Sequence, residues 1–405
     1  MRVLMAHNRY LEGGGEDLST AAEVDLLRAH GCEVTTYERS NEDVAAIGAW
    51  RTGLKAVWNQ ETYTEIRRLL AAQKFDIVHV QNFFPLISPA IYYAARHAGV
   101  PVVQSMRNYR LACVNGLHLR NGRACEDCLG KTVPWRGVVR RCYRDSAPAS
   151  AAVASMITLH KLARTWDTKV DRYIALTQFA RAKLIEAGLP AAKISVKPNF
   201  ITHDPGRGEG GQRHVVYVGR LAPEKGVDVL IDAWRRAKLD IPLLIVGTGP
   251  LEDELRARCA DMPSVKFLGR QTIEQVYRAM GQSLALALPS VFYEGMPRTL
   301  IEAFATATPV IATDHGSMSE MIEPYITGLF VEPGDAAGLG NALAWAAVNR
   351  PAMRMMGDQA RQTFETTYSG EANVSQLIGI YREAGGGDRA IPSAAIGRAG
   401  DAITP

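Results

Sequence analysis

The chain has 405 residues, of which 22% are charged and 47% hydrophobic, with a net charge of +4. That length supports two domains with separate cores, and the near balance of charge gives no reason to expect nucleic acid as a partner. No run of about 18 apolar residues is present, so no spanning helix is predicted, and six cysteines are too few for a disulfide scaffold.

Met1–His7 is too short for a signal peptide and runs into a glycine turn. It reads as a first buried strand, which leads to the expectation of a cytoplasmic protein. Beyond it, short apolar runs alternate with helix-length segments, the pattern of parallel sheets wound by helices. First-half strands are predicted at Val3–Ala6, Val34–Tyr37, Ile77–Val80, Val100–Val103, Tyr173–Leu176 and Ile194–Lys197. Helices are predicted at Glu16–His30, Glu61–Gln73, Pro89–His97 and Phe179–Ala187. Second-half strands are predicted at Val215–Val218, Leu243–Val246, Val265–Leu268, Leu284–Leu288, Val310–Ala312 and Leu329–Val331, with helices between and after them. The fold class is therefore α/β, two Rossmann-like doubly wound domains facing a cleft.

The domain boundaries follow from composition. Residues 1–201 form an N-terminal domain, and 202–212, crowded with Gly206, Gly208, Gly210 and Gly211, read as a flexible linker. Residues 213–368 form a C-terminal domain, a last helix covers 369–384, and 385–405 reads as a disordered tail. No internal repeat is visible.

After the first strand, Gly13-Gly14-Gly15 opens a helix. Such glycines let backbone N–H groups approach a phosphate, although a plain turn has the same composition. Residues 107–144 form an insert with nine Lys/Arg against Glu126 and Asp127. That charge suits anionic lipid headgroups or a pyrophosphate-linked acceptor, and equally a solvated loop. The insert also holds Cys113, Cys125, Cys128 and Cys142, spaced C-x11-C-x2-C-x13-C. Four thiolates can close a tetrahedron on a structural Zn²⁺; reduced thiols and a redox pair are the other readings. Cys32 and Cys259 read as ordinary buried residues. Asp145–Trp166 reads as one helix whose apolar face either joins the core or leans on a membrane.

The second half carries the sharper signals. Behind the strand ending at Gly219 comes Arg220-Leu221-Ala222-Pro223-Glu224-Lys225-Gly226, which brings two cations to a strand's carboxyl end. Two such cations could hold a diphosphate as it becomes a leaving group. Val246-Gly247-Thr248-Gly249-Pro250 makes a second turn of the same kind. The run Ser290 to Ala303 separates two carboxylates, Glu294 and Glu302, by a turn at Gly295-Met296-Pro297 and a helix start. Pro297 suits a first helical position. The free N–H groups beyond it suit phosphate, and the carboxylates suit hydroxyl-rich ligands. A nucleotide-sugar has both.

Together these segments resemble the retaining glycosyltransferases of family 4, of GT-B fold, over roughly residues 1–384. The most specific pieces are Gly219–Gly226 and the Glu294…Glu302 pair. The insert resembles one found in a bacterial subset of that family. The resemblance implies that Arg220 and Lys225 bind the donor diphosphate, that Glu294 lies by the donor sugar, and that Glu302 holds the ribose. It further places Gly14 and Gly15 against the donor phosphates and acceptor. Gly219, Gly249, Gly295, Met296 and Pro297 fall on the donor side.

Two positions depart from the family pattern. Gln81, in Ile77-Val78-His79-Val80-Gln81-Asn82, replaces the second His of His-x-His-Asn, and Arg107 stands where relatives carry a cleft His. Arg cannot act as a base near neutral pH, but it can bind a leaving phosphate or an anionic acceptor. Arg107 therefore joins Glu294, Arg220 and Lys225 as a candidate catalytic residue. His7 is expected to be structural.

The implied activity is transfer of a sugar, with retention, from a nucleoside diphosphate sugar to a hydroxyl of a glycan or lipid-linked acceptor, in cell-surface polysaccharide synthesis. No Asp-x-Asp triad is present, so no catalytic divalent metal and no other catalytic cofactor is expected. Peripheral contact with an anionic membrane at its inner face is a further expectation. The alternatives are a non-catalytic nucleotide-sugar or glycan binder, or another GT-B activity such as an epimerase. A phosphorylase would need a pyridoxal-binding Lys, for which no context is found.

Overall fold

A computed structural model of the chain describes residues 1–11 and 14–385. The strands are β1 (Arg2–Arg9), β2 (Glu33–Ser40), β3 (Ile77–Asn82), β4 (Val102–Met106), β5 (Leu119–Arg120), β6 (Arg123–Ala124), β7 (Arg172–Ala175) and β8 (Ile194–Val196). Those of the second half are β9 (Val215–Val218), β10 (Leu243–Val246), β11 (Val265–Gly269), β12 (Ala285–Leu288), β13 (Val310–Thr313) and β14 (Gly328–Val331). They form two six-stranded sheets, ordered β2-β1-β3-β4-β7-β8 and β11-β10-β9-β12-β13-β14, and a small hairpin β5-β6. Pairing within both large sheets is parallel. All twelve strands predicted from the alternation are present, and both domains are doubly wound.

Helices cover both faces of each sheet, so central strands are buried throughout. All six residues of β3 are buried. Within the first domain the pleat sends alternate side chains to two cores. Leu4 and Ala6 join one, with Val78 and Val80. Val3 and Met5 join the other, with Ile77 and with Leu377, Ile380 and Tyr381 of the last helix, Gly370–Glu383. That helix begins after the second domain yet lies on the first, because its apolar face completes the core against β1 and β3.

The sheet orders fix where ligands can bind. In each sheet the chain winds one way from the first strand and then reverses. The reversal falls between β1 and β3 in one sheet and between β9 and β12 in the other. Loops leaving adjacent strands diverge there and open a crevice at the carboxyl ends. The Gly14 loop follows β1, the Arg220–Gly226 loop follows β9, and the Glu294 loop follows β12.

Several local expectations are corrected. The helix expected over Asp145–Trp166 is two pieces. Ala147–Leu162 starts at Ser146, whose hydroxyl accepts from Ala149 N–H (3.3 Å), and a short turn Thr165–Thr168 follows. Arg164, in the left-handed region at φ 52°, breaks it. Helices Asp43–Ile47 and Ala49–Val57 escaped the periodicity, since their exposed side carries apolar residues. Residues 202–212 have no regular structure but are docked rather than free. Gly208 and Gly210 donate to the carbonyls of Thr306 (3.1 Å) and Gly281 (2.8 Å), and Arg361 pairs with Asp204 (2.6 Å). A Cβ on Gly208 would stand 2.2 Å from the Gly281 Cα, so that glycine is there for close contact. The expected tail 385–405 lies outside the described residues apart from Gly385.

Candidate active site

The loops after β9 and β12 touch backbone to backbone. Gly226 is left-handed at φ 64°, and a Cβ there would sit 2.0 Å from the carbonyl oxygen of Pro289. Only glycine fits both conditions. Val291 N–H donates to Glu224 C=O (3.0 Å), which locks the two loops together. The β10 loop closes in equally tightly: a Cβ on Gly249 would lie 2.4 Å from the Leu221 carbonyl oxygen.

This packing brings Lys225 to Glu294. The Lys225 ammonium donates to Glu294 Oε1 at 2.7 Å, and the Ser290 hydroxyl donates to the same oxygen at 2.6 Å. Glu294 is buried, with 6% exposure, while Lys225 remains partly open to the cleft. Arg220 stands exposed at the end of the same strand, its carbonyl fixed by the Tyr217 hydroxyl (2.8 Å). Two residues expected to meet different parts of a ligand thus form an ion pair. A partly open ammonium held by a carboxylate can turn to a phosphate without losing all its partners.

Pro297 is corrected by one position. It is the extended cap (φ −68°, ψ 117°) and not the first helical residue, and the helix is Arg298–Ala305. Its carbonyl already accepts from Leu300 N–H (3.1 Å). No side chain caps this start, and an uncapped helix N-terminus suits an anion. Leu300, Ile301 and Phe304 of this helix are fully buried, each contributing about 1.5–3 kcal/mol to hold it. Glu302 lies one turn in, 5% exposed, and accepts from Arg298 Nε at 3.0 Å. Burial raises its carboxyl above the ordinary range, and Arg298 only partly opposes this.

On the first domain, Gly14 caps the helix Gly15–Ala29 and donates to Asp17 Oδ2 (3.1 Å). His7 is buried, with Nε2 2.7 Å from Asp17 Oδ1, as befits a structural residue.

Arg107 is placed differently from the expectation of a phosphate ligand. Its side chain is 5% exposed, and its guanidinium donates to three protein acceptors. These are Gln81 Oε1 (2.8 Å), Asn199 Oδ1 (2.7 Å) and Glu23 Oε2 (3.1 Å). The two departures from the family pattern, Gln81 and Arg107, are therefore bonded to each other. Glu23 was not anticipated as a site residue. Burial alone would raise its carboxyl, but the charges of Lys197 and Arg107, with a hydrogen bond from Gln81, hold it at about 2. Burial pushes His79 down to about 4, so it is neutral near physiological pH and the attraction comes from Lys197 and Arg107. Lys197 Nζ lies 3.5 Å from Glu23 and donates to Asn373 Oδ1 (2.8 Å), and His79 Nδ1 is 2.7 Å from the Tyr381 hydroxyl. This buried network ties the cleft floor to the last helix. One signal was available in the sequence: Glu23 is a lone acid on the buried stripe Ser19, Ala22, Leu26, Leu27.

The insert leans on the loop after β12. The Tyr293 ring packs against Phe179 (4.8 Å), His315 (4.5 Å) and His118 (6.0 Å). Cys113, Cys125, Cys128 and Cys142 line one small cavity in the insert. Among the described residues no three His, Cys, Asp or Glu stand in metal-holding geometry. The Cys113 thiol donates to Asn115 Oδ1 (3.0 Å), and the Cys128 thiol faces Pro134 C=O (3.9 Å). Burial, and then the neighbouring sulfurs, raise the thiols of Cys128 (to about 11) and Cys142; burial raises that of Cys113. The Cys113 and Cys128 thiols thus have separate oxygen partners in this arrangement, while all four cysteines line the one cavity.

Residues 13–199 match the family model described as glycosyl transferase 4-like domain, and residues 202–363 match that of glycosyl transferases group 1. An amylovoran biosynthesis glycosyltransferase of Erwinia amylovora is 28% identical over 230 residues, about half of each protein (51% of this chain, 55% of that one). A phosphatidyl-myo-inositol mannosyltransferase of Mycobacterium leprae is 29% identical over 91% of this chain and 92% of its own. The crystal structure of Anabaena HepE with UDP superposes with a TM-score of 0.66 at 16% identity, covering 94% of this chain and 99% of that one. Sucrose-phosphate synthase of Thermosynechococcus elongatus gives 0.69 at 17% identity, over 94% and 98%. With one glycosyltransferase model on each half and the GT-B arrangement of two facing parallel sheets, the chain belongs to the GT-B glycosyltransferases.

Proposed function

We propose that the protein transfers a sugar from a nucleoside diphosphate sugar to a hydroxyl of a glycan or lipid-linked acceptor, with retention of anomeric configuration, in cell-surface polysaccharide or glycolipid synthesis. The observation that carries this reading is the junction of Lys225, Glu294 and the uncapped helix start at Arg298 in one crevice. The ammonium, the exposed Arg220 and the helix N–H groups would stabilise the departing diphosphate, so no divalent ion is required. Glu294 would orient donor hydroxyls, and the buried Glu302 would accept from the ribose. The cleft between the two sheets would shield the reaction from water. Supporting this, HepE is known in complex with UDP-glucose, and the relatives above serve amylovoran synthesis and phosphatidyl-myo-inositol mannosylation.

The same reading places the protein peripherally on the inner face of an anionic membrane. Among the described residues no helix is long and apolar enough to cross one. Two short helices packed on Ala147–Leu162 each expose a Trp and an aliphatic residue one turn apart: Trp50 (77%) with Leu54, and Trp135 (57%) with Val139. Exposed Arg51, Arg136, Arg141 and Arg144 flank them, a pairing of apolar anchors and cations that suits a headgroup layer.

The test is a thermal-shift screen with UDP, GDP, ADP and their common sugars, followed by diphosphate release with the stabilising donor. The buried state of Arg107 favours one second reading, a non-catalytic binder. Such a protein would be stabilised by nucleotide yet release no diphosphate.

A further inference from the structure

The donor loop after β12 belongs to the second domain, but its conformation is gripped from both domains. The single Ser317 O–H is shared between two consecutive carbonyls, Glu294 (2.6 Å) and Gly295 (2.8 Å). The third, Met296, accepts from Asn199 Nδ2 (3.2 Å), and the Asn199 N–H points at the Met296 sulfur (3.0 Å). Asn199 follows β8 and belongs to the first domain. Its side-chain amide is not free to rotate, because its oxygen is held by Arg107 Nη1 at 2.7 Å. Since that oxygen must face a guanidinium, the NH₂ group must face the Met296 carbonyl. Arg107 is fixed in turn by Gln81 and Glu23, and its own carbonyl abuts the loop: a Cβ on Gly295 would come within 2.9 Å of it.

We propose that Asn199 is a positioning residue for the donor loop, oriented by Arg107, so that the buried Glu23–Gln81–Arg107 unit of the first domain sets where Glu294 stands in the second. Arg107 then acts through Asn199 and the loop backbone, without touching donor or acceptor. The chain Glu23, Arg107, Asn199, Met296 spans residues far apart in sequence and crosses the domain boundary, so the loop is held only when the domains meet as they do here. The proposal rests on the donor-site reading for its kinetic consequence, while its structural consequence stands apart from it.

The informative variant is Asn199→Asp. It keeps an oxygen for Arg107 but loses the donor to Met296 and sets a carboxylate against that carbonyl. Two readouts on the full-length protein separate the possibilities. In hydrogen exchange, the loop peptide 291–301 should exchange about tenfold faster in Asn199→Asp, while peptides over β3 and β4 stay as in wild type. A general loss of stability would move all of them. In kinetics with whichever UDP-, GDP- or ADP-sugar gives the largest thermal shift, kcat should fall about 10–100-fold with KM for that sugar within about twofold. Loop exchange and kcat both unchanged in Asn199→Asp would overturn the proposal, as would β3 and β4 loosening together with the loop. If the wild-type protein turns over no donor, the donor-site reading fails and the exchange result alone decides this one. Should Asn199→Asp fail to fold, Asn199→Ala is read by the same two criteria.

Discussion

Replacing Arg107 by Ala should destabilise the first domain far more than a cleft residue normally would. Arg107 and Glu23 form a 3.1 Å ion pair with side chains 5% and 1% exposed, so the change strands a buried carboxylate. Removing one partner of a buried pair typically costs about 3–5 kcal/mol. Lys197 remains 3.5 Å away as a second cation, which argues for the lower end, about 3 kcal/mol. For a domain of this size that corresponds to a melting-temperature loss of roughly 6–12 °C. Differential scanning calorimetry would follow the transition, with the Arg107→Met/Glu23→Gln double variant as control. Removing both charges together should recover only part of the loss, since the pair is replaced by neutral groups while buried Lys197 loses its carboxylate. The pH dependence has a definite sign. Glu23 is held at about 2 against an ordinary 4.5. Its contribution is therefore complete above about pH 4.5 and is lost as pH falls from there toward 2. The gap between wild type and Arg107→Ala should be flat at neutral pH and close in that acid window. An Arg107→Ala protein melting within about 2 °C of wild type at neutral pH would refute the reasoning and return Arg107 to the cleft as a free cation.

Further outcomes follow from other contacts. Lys225→Ala should lower transfer about 10²-fold or more and, because buried Glu294 loses its ammonium, should also lower melting; near-normal turnover at saturating donor would remove Lys225 from the site. Glu302→Ala should chiefly weaken nucleotide binding and Glu294→Ala chiefly lower kcat, read by calorimetry and steady-state kinetics; the reverse pattern would exchange the two roles. Gly226→Ala must move either a left-handed backbone or the Pro289 carbonyl 2.0 Å from the new Cβ, so it should abolish the nucleotide-induced thermal shift. Retention of that shift would show the loop to be pliable. Because Cys113 and Cys128 are bonded to separate oxygens, a strong chelator should leave melting unchanged; one tightly held zinc per chain, lost together with stability, would show that the sulfurs close on a metal in solution.

The sequence by itself determined the elements and their class. Runs such as Val215–Val218 and Leu243–Val246 are contiguous, so their burial is legible residue by residue, and alternation with helices leaves a parallel sheet as the arrangement that covers both faces. The two candidate donor motifs were legible as local units for the same reason: Arg220 to Gly226 and Glu294 to Glu302 are each one loop and one helix start. Pro297 was misread by one residue, because a proline fixes φ but leaves ψ free to stay extended. Tertiary structure alone decided which charges meet. Arg107 reads in the sequence as a cation near a strand end, and nothing local distinguishes a phosphate ligand from half of a buried pair. Its partners lie 26, 84 and 92 positions away, at Gln81, Glu23 and Asn199. The four cysteines make the opposite case. Their spacing permits a tetrahedron, but whether thiols close on an ion depends on where neighbours such as Asn115 and Pro134 place their oxygens. Linear order carries the periodicities that build sheets and helices. The pairing of isolated polar groups is set by how the domains and the last helix pack, and that is a property of the folded chain.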